Sequence, residues 1–200
     1  MRSIMLKSRS KSLILSFVVG MFLCVVSVSG SEAAQNETAL ASRPVRLDLG
    51  FAQSPPESHV QIPLTLALPR GTQIGSVTNE ITFPTELLSF QEAIKGLSVE
   101  IAEAEVATEV HPDEDNPENS ILTVTIVGKA GGMITRGVLV DLVFVISKQA
   151  QLGETLILRN TASALSPGAS PQPLDPVTGN DGEILIDKTA VVFACFFYMH

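Results

Sequence analysis

An all-β fold, an immunoglobulin-like or jelly-roll β-sandwich of about eight or nine strands, is what this sequence predicts. Three observations predict it. Apolar residues recur with period two in several short runs; clusters rich in Gly, Pro, Asn and Ser separate those runs; and no long helical stripe interrupts them between residues 44 and 187. Period two sends alternate side chains to opposite faces of a strand, so each run has one face fit for a core.

The runs can be taken in chain order. Val45, Leu47 and Leu49 alternate with Arg46 and Asp48. Val60, Ile62, Leu64, Leu66 and Leu68 form a longer stripe whose Pro63 cannot donate to a ladder, which points to an edge or a bulge. Val77, Ile81 and Phe83 alternate with Thr78, Glu80 and Thr82, and Leu122, Val124 and Ile126 alternate with Thr123 and Thr125. From Val138 to Ile146 the chain is apolar on both faces except at Asp141, the pattern of a central strand covered on both sides. Leu156 with Leu158, and Ile184 with Ile186, supply two shorter runs. The breakers are Ser54–Pro56, Pro69–Gly71, Pro112–Asn119, Gly128–Gly132, Gln151–Gly153 and Pro167–Gly182. In one stretch the phase slips, from Leu97, Val99 and Ile101 to Ala102, Ala104 and Val106. The expectation there is a strand with a bulge, and a helical turn over Ala102–Val106 is the competing reading.

The ends read differently from the middle. Arg2, Lys7, Arg9 and Lys11 precede an apolar run from Leu13 to Val28, and small residues cluster from Ser27 to Ala34. These are the parts of a signal peptide over residues 1–30; the apolar run is shorter than the roughly 20 residues a membrane span needs. Residues 31–43 form a small, polar lead-in, and 44–187 the sandwich. Residues 188–200 are a tail whose Ala190–Met199 stretch is apolar except for the Tyr198 hydroxyl. That tail is read first as the stump of a truncated anchor or an altered reading frame, with packing on the domain or strand donation to a partner as alternatives.

All 21 acidic residues lie beyond residue 30 and four of the 13 basic ones before it, which leaves 21 acids against nine bases, a net of −12. An exported domain so acidic repels phosphate backbones, so nucleic acid is excluded as a partner class. Cys24 leaves with the signal, so only Cys195 remains and no internal disulfide can form. Stability has to come from a buried core.

Several landmarks in order resemble the cohesin domain, a β-sandwich receptor module related in fold to carbohydrate-binding module families 2 and 3. They are Ile81-Thr82-Phe83-Pro84-Thr85-Glu86-Leu87-Leu88-Ser89-Phe90, the Gly-led apolar strand Gly137–Val145, the LxLxNxxAS-like Leu156–Ser163, and the Gly-led Gly182–Ile186. The resemblance spans Val45 to Asp187. It departs from the family in placing Phe83 directly before Pro84 and in its acidic 111–119 loop. The resemblance implies a non-catalytic module for protein–protein interaction, with a dockerin-like partner in an extracellular polysaccharide-degrading or cell-surface assembly. It also implies that the binding face lies on the sheet holding the Phe83 strand. It names no contact residues, so the partner-binding residues stay open.

Other polar features are weighed against it. The loop His111–Asn119 is rich in carboxylates, but lacks the spaced ligands and mid-loop Gly of a helix-loop-helix calcium site, and reads as a solvated hairpin loop. Asp175–Gly182 reads as a turn into the last strand. Asp141 either faces solvent, the favoured reading, or pairs with Arg136 or Arg159. No catalytic, cofactor-binding or metal-ligating set is assigned. His59, His111 and His200 have no ligand-spaced partners, and Glu80 with Glu86 reads as two surface carboxylates, not a glycosidase pair. The chain has no Trp, and its single Tyr198 lies outside the domain, so an aromatic platform for polysaccharide is weakly supported. Two further readings are kept open: a carbohydrate-binding module, and a structural surface subunit that uses Ala190–Met199. An enzyme ranks last.

Overall fold

The computed structural model describes residues 44–129, 132–189 and 191–193. The signal, the lead-in, Cys24, Cys195, Tyr198 and His200 lie outside the described residues.

Two sheets face each other across one core. The first run of the sandwich divides between them. β1 (Val45–Leu49) pairs in parallel with β10 (Val177–Asn180) in one sheet, and β2 (Phe51–Ser54) pairs in parallel with β11 (Gly182–Ile186) in the other. Gly50 makes the crossing between them. Its N–H donates to the Pro63 carbonyl at 2.9 Å, and a Cβ there would sit 2.6 Å from Pro63 Cγ, so only glycine fits.

The five-stranded sheet runs β10-β1-β3-β8-β5, with β3 at His59–Ala67, β8 at Gly137–Ile146 and β5 at Leu88–Lys95. The seven-stranded sheet runs β12-β2-β11-β9-β4-β7-β6, with β4 at Ser76–Pro84, β6 at Glu105–Pro112, β7 at Asn119–Val127, β9 at Thr155–Leu165 and β12 at Val191–Phe193. The inward residues are those of the period-two stripes: Val60, Ile62, Leu64 and Leu66 of β3, and Leu122, Val124 and Ile126 of β7, are all buried. At the centre Phe144 meets Phe83 of the facing sheet edge-on with centroids 5.3 Å apart, and Phe90, its neighbour on β5 in the same sheet, at 5.7 Å. Phe83 and Leu88 are buried and Phe90 packs against the core, so the Pro84 turn is clamped on both sides.

The structure departs from the sequence reading in four places. Twelve strands are formed among the described residues instead of eight or nine, because β2 is separate from β1 and β5, β6, β10 and β12 join the seven striped runs. Leu97–Ile101 is a one-turn helix, α1, not a bulged strand, and the strand begins only at Glu105. In α1 the Val99 and Ser98 side chains are buried while Leu97 and Ile101 are each 68% exposed, so their alternation was never a core stripe. The breaker Pro167–Gly182 contains strand β10, which Gly and Asn residues disguise. β8 lies between β3 and β5 as a central strand, but its burial is uneven: Val140, Leu142, Phe144 and Ile146 are buried in one alternation, and Leu139 and Val143 are buried in the other while Asp141 and Val145 are only partly so.

Part of the apolar tail joins the fold. The β12 backbone pairs antiparallel with β2, placing Val191 opposite Gln53 and Phe193 opposite Phe51.

Candidate functional site: the outer face of the seven-stranded sheet

Four adjacent strands, β9-β4-β7-β6, present alternate side chains away from the core, and the ladder register sets them in rows. One row runs His111, Ile121, Thr82, Arg159, and the next Glu109, Thr123, Glu80, Thr161. The third is Ala107, Thr125, Thr78, Ser163, and the last Glu105, Val127, Ser76, Leu165. Strand spacing and rise give this surface about 500 Å². A standard interface buries about 800 Å² per partner, so end loops such as 113–118 would complete the footprint.

The chemistry of the rows suits docking rather than catalysis. Threonine dominates the two inner strands, and a β-branched side chain on a strand is already stiff at χ1, so little rotamer entropy is lost on contact. Ile121, with Val127 (47% exposed) and Leu165 (36%), adds apolar contact area. Glu80, Glu105 and Glu109 make the middle acidic, and Arg159 is the cation at one corner. Among the described residues, no group of three or more His, Cys, Asp or Glu is placed to hold a metal ion.

The face is held from behind by a buried amide pair. Asn79 of β4 donates through Nδ2 to Asn160 Oδ1 of β9 at 2.6 Å. Asn160 Nδ2 in turn donates to the Leu47 carbonyl of β1 at 2.8 Å and to the Asn180 carbonyl of β10 at 3.2 Å. The Asn160 backbone N–H is capped by Asp181 Oδ1 at 2.8 Å. β9 is thereby tied to the opposite sheet by a side chain as well as by apolar packing, and β4 is tied to β9.

The residues singled out from the sequence are scattered. Glu80 lies exposed on the face and Glu86 exposed in the β4–β5 turn. His111 sits on the face at the β6 edge and His59 at the start of β3, in the other sheet. The acidic loop is a hairpin connection between β6 and β7, as its composition suggests. Asp141 is on the outer face of the five-stranded sheet, flanked by Pro63 and Ile94, and pairs with neither Arg136 nor Arg159. Desolvation there raises its carboxyl above the usual value. Sequence reasoning missed Asn79, whose position on the inward phase between Val77 and Ile81 was the available signal, and it missed that Asn160 is buried.

A family model described as the cohesin domain matches residues 45–186. Among solved structures, the chain is similar to the third cohesin of ScaC from Acetivibrio cellulolyticus, determined in complex with the ScaB dockerin. The identity is 19%, the alignment covers 72% of this chain and 99% of that one, and the TM-score is 0.59. It is also similar to a Coh-OlpA–Doc918 cohesin–dockerin complex from Clostridium thermocellum, at 16% identity, 72% and 99% coverage and a TM-score of 0.58. A third likeness is a non-cellulosomal cohesin from the hyperthermophilic archaeon Archaeoglobus fulgidus, at 14% identity, 72% and 91% coverage and a TM-score of 0.51. No curated protein sequence matches the chain. At these identities the solved structures speak for the fold, and the family match speaks for kinship: this chain belongs to the cohesin domain family, whose members are non-catalytic modules for protein–protein binding.

Proposed function

We propose that the chain is an exported receptor module whose β9-β4-β7-β6 outer face captures a dockerin-like protein, within a cell-surface or polysaccharide-degrading assembly. The observation that carries this reading is the threonine-rich four-strand face on the Phe83 sheet, in a family whose solved members include dockerin complexes. Export rests on residues 1–30, with their basic start, apolar run and small residues. N-terminal sequencing of protein recovered outside the cell checks it, and a chain still beginning at Met1 would count against cleavage.

The binding test uses the immobilised chain and a panel of dockerin modules, scored by biolayer interferometry. Thr123→Arg places a bulky cation in the middle of the face, and is expected to weaken capture at least about tenfold, the cost of spoiling an interface centre. Gln61→Arg, on the opposite sheet, is expected to leave it unchanged. Equal effects from the two variants would remove the face from the account. Pull-down on insoluble cellulose, chitin and xylan separates this reading from a carbohydrate-binding one: a dockerin receptor stays in the supernatant.

A further inference from the structure

At one end of the sandwich the β3–β4 and β7–β8 connections enclose a shallow groove of about 370 Å³. Arg70 and Arg136 line it together with Thr72, Gln73, Thr135 and Met133. The walls are pinned to each other, since Ile134 N–H donates to the Ile74 carbonyl at 2.9 Å and both isoleucines are buried. The ion pairs among the described residues are Arg46–Asp48 and Lys129–Glu103, so neither groove guanidinium is neutralised by a carboxylate. Beyond residue 30 the chain has 21 acids against nine bases, and two of those nine, both outside any ion pair among the described residues, line one groove; a guanidinium fork grips a carboxylate through two parallel hydrogen bonds.

The other end of the molecule carries the complementary part. The 113–118 tip of the β6–β7 hairpin holds Asp113, Glu114, Asp115 and Glu118. Its backbone is preorganised. Asp113 N–H donates to the Asn119 carbonyl at 3.1 Å, Asn119 N–H to the Asn116 carbonyl at 2.9 Å, and Asp113 Oδ1 accepts from the Asp115 N–H at 3.0 Å. Glu114, Asp115 and Glu118 are left exposed and outside any ion pair among the described residues. The tip precedes β7 and the groove follows it, so the nine residues of β7 set the two about 30 Å apart at opposite poles.

We propose that the Arg70–Arg136 groove of one copy receives the acidic 113–118 tip of a second copy, giving weak head-to-tail self-association. The contact is heterologous, because groove meets tip and not groove, so it propagates along a chain of copies. The net charge of −12 beyond residue 30 opposes approach at long range. At about 0.1 M salt the screening length is about 10 Å, which damps that repulsion and leaves the contact pairs in force; at about 1 M it is about 3 Å and the pairs are weakened as well. The dissociation constant is expected on the order of 0.1–1 mM.

Sedimentation equilibrium across that concentration range tests it. Wild type is expected to show a rising average mass at 0.1 M salt that falls back toward monomer at 1 M. The groove variant Arg70→Glu with Arg136→Glu, and the tip variant Asp115→Lys with Glu118→Lys, are each expected to stay monomeric while keeping the wild-type circular dichroism. An equimolar mixture of the two is expected to associate again, since each then supplies what the other lacks. A monomeric wild type at every concentration, association that survives in either variant alone, or a mixture that stays monomeric while wild type associates would overturn the proposal.

Discussion

Replacing Asn160 by alanine should destabilise the domain far more than the same change at Asn79, although the two residues share a hydrogen bond. Asn160 makes three side-chain hydrogen bonds, buried ones to Asn79 and to the Leu47 carbonyl and a part-buried one to the Asn180 carbonyl. Each is worth about 1 kcal/mol net, and the partners stranded by Asn160→Ala add desolvation cost, which brings the loss to about 3–5 kcal/mol. Asn79 makes one of those bonds, and its Oδ1 is buried with no partner. Asn79→Ala therefore removes a bond and an unsatisfied acceptor together, for a net loss of about 1 kcal/mol. The double variant should lie close to Asn160→Ala alone, because the shared bond is lost only once. Urea unfolding with unchanged m-values measures all three. With m at about 1–3 kcal/mol per molar, Asn160→Ala should lower the midpoint by at least about 1 M. Equal costs for the two single variants, or costs that simply add, would refute the assignment of Asn160 as the tie between the sheets.

Other consequences are simpler to read. Phe144→Leu should cost about 1–3 kcal/mol, because a fully buried ring loses edge-on contacts to both Phe83 and Phe90; an unchanged Tm would contradict the packing described. Asp141 has a native carboxyl raised above 3.8 by desolvation, so the native state holds that proton more tightly than the unfolded chain does. Its contribution to stability therefore falls as pH rises from 3.8 through the raised native value. Asp141→Asn should accordingly raise the Tm at pH 7 and lose that advantage once the pH falls below 3.8. A gain retained at pH 3, or none at pH 7, would contradict the sign.

Much of the sandwich was legible because its stripes have one apolar and one polar side. β3 and β7 bury alternate residues in the pattern their sequences show, and the Phe83–Phe90 segment clamps its turn with the residues its spacing picks out. Legibility failed where burial is weak or carried by few residues. β6 is a sheet edge, exposed at all but one of its positions, so no periodicity marks it. α1 alternates like a strand, yet is anchored by Val99 and Ser98 while Leu97 and Ile101 face solvent. β10 is held by backbone pairing to β1 and not by an apolar stripe.

The candidate site was legible in a narrower sense. Thr78, Thr82, Thr123 and Thr125 stand out as the polar half of two alternations. The register that sets them side by side is a property of pairing between β4 and β7, which no single strand encodes. Nor does periodicity rank the outer face of one sheet above that of the other; the family resemblance supplied that choice. The Asn79–Asn160 pair joins residues 81 positions apart, so its partners are found only by folding the chain.

The claim on which the function rests is that recognition uses the β9-β4-β7-β6 face. Backbone amide chemical-shift mapping of the isotope-labelled chain, titrated with a dockerin module that it captures, tests this most directly. The account predicts the largest changes at Thr78, Glu80, Thr82, Ile121, Thr123 and Thr125, with Gln61, Val143 and Val145 of the opposite sheet unmoved. Changes concentrated on β3 and β8 instead would contradict it.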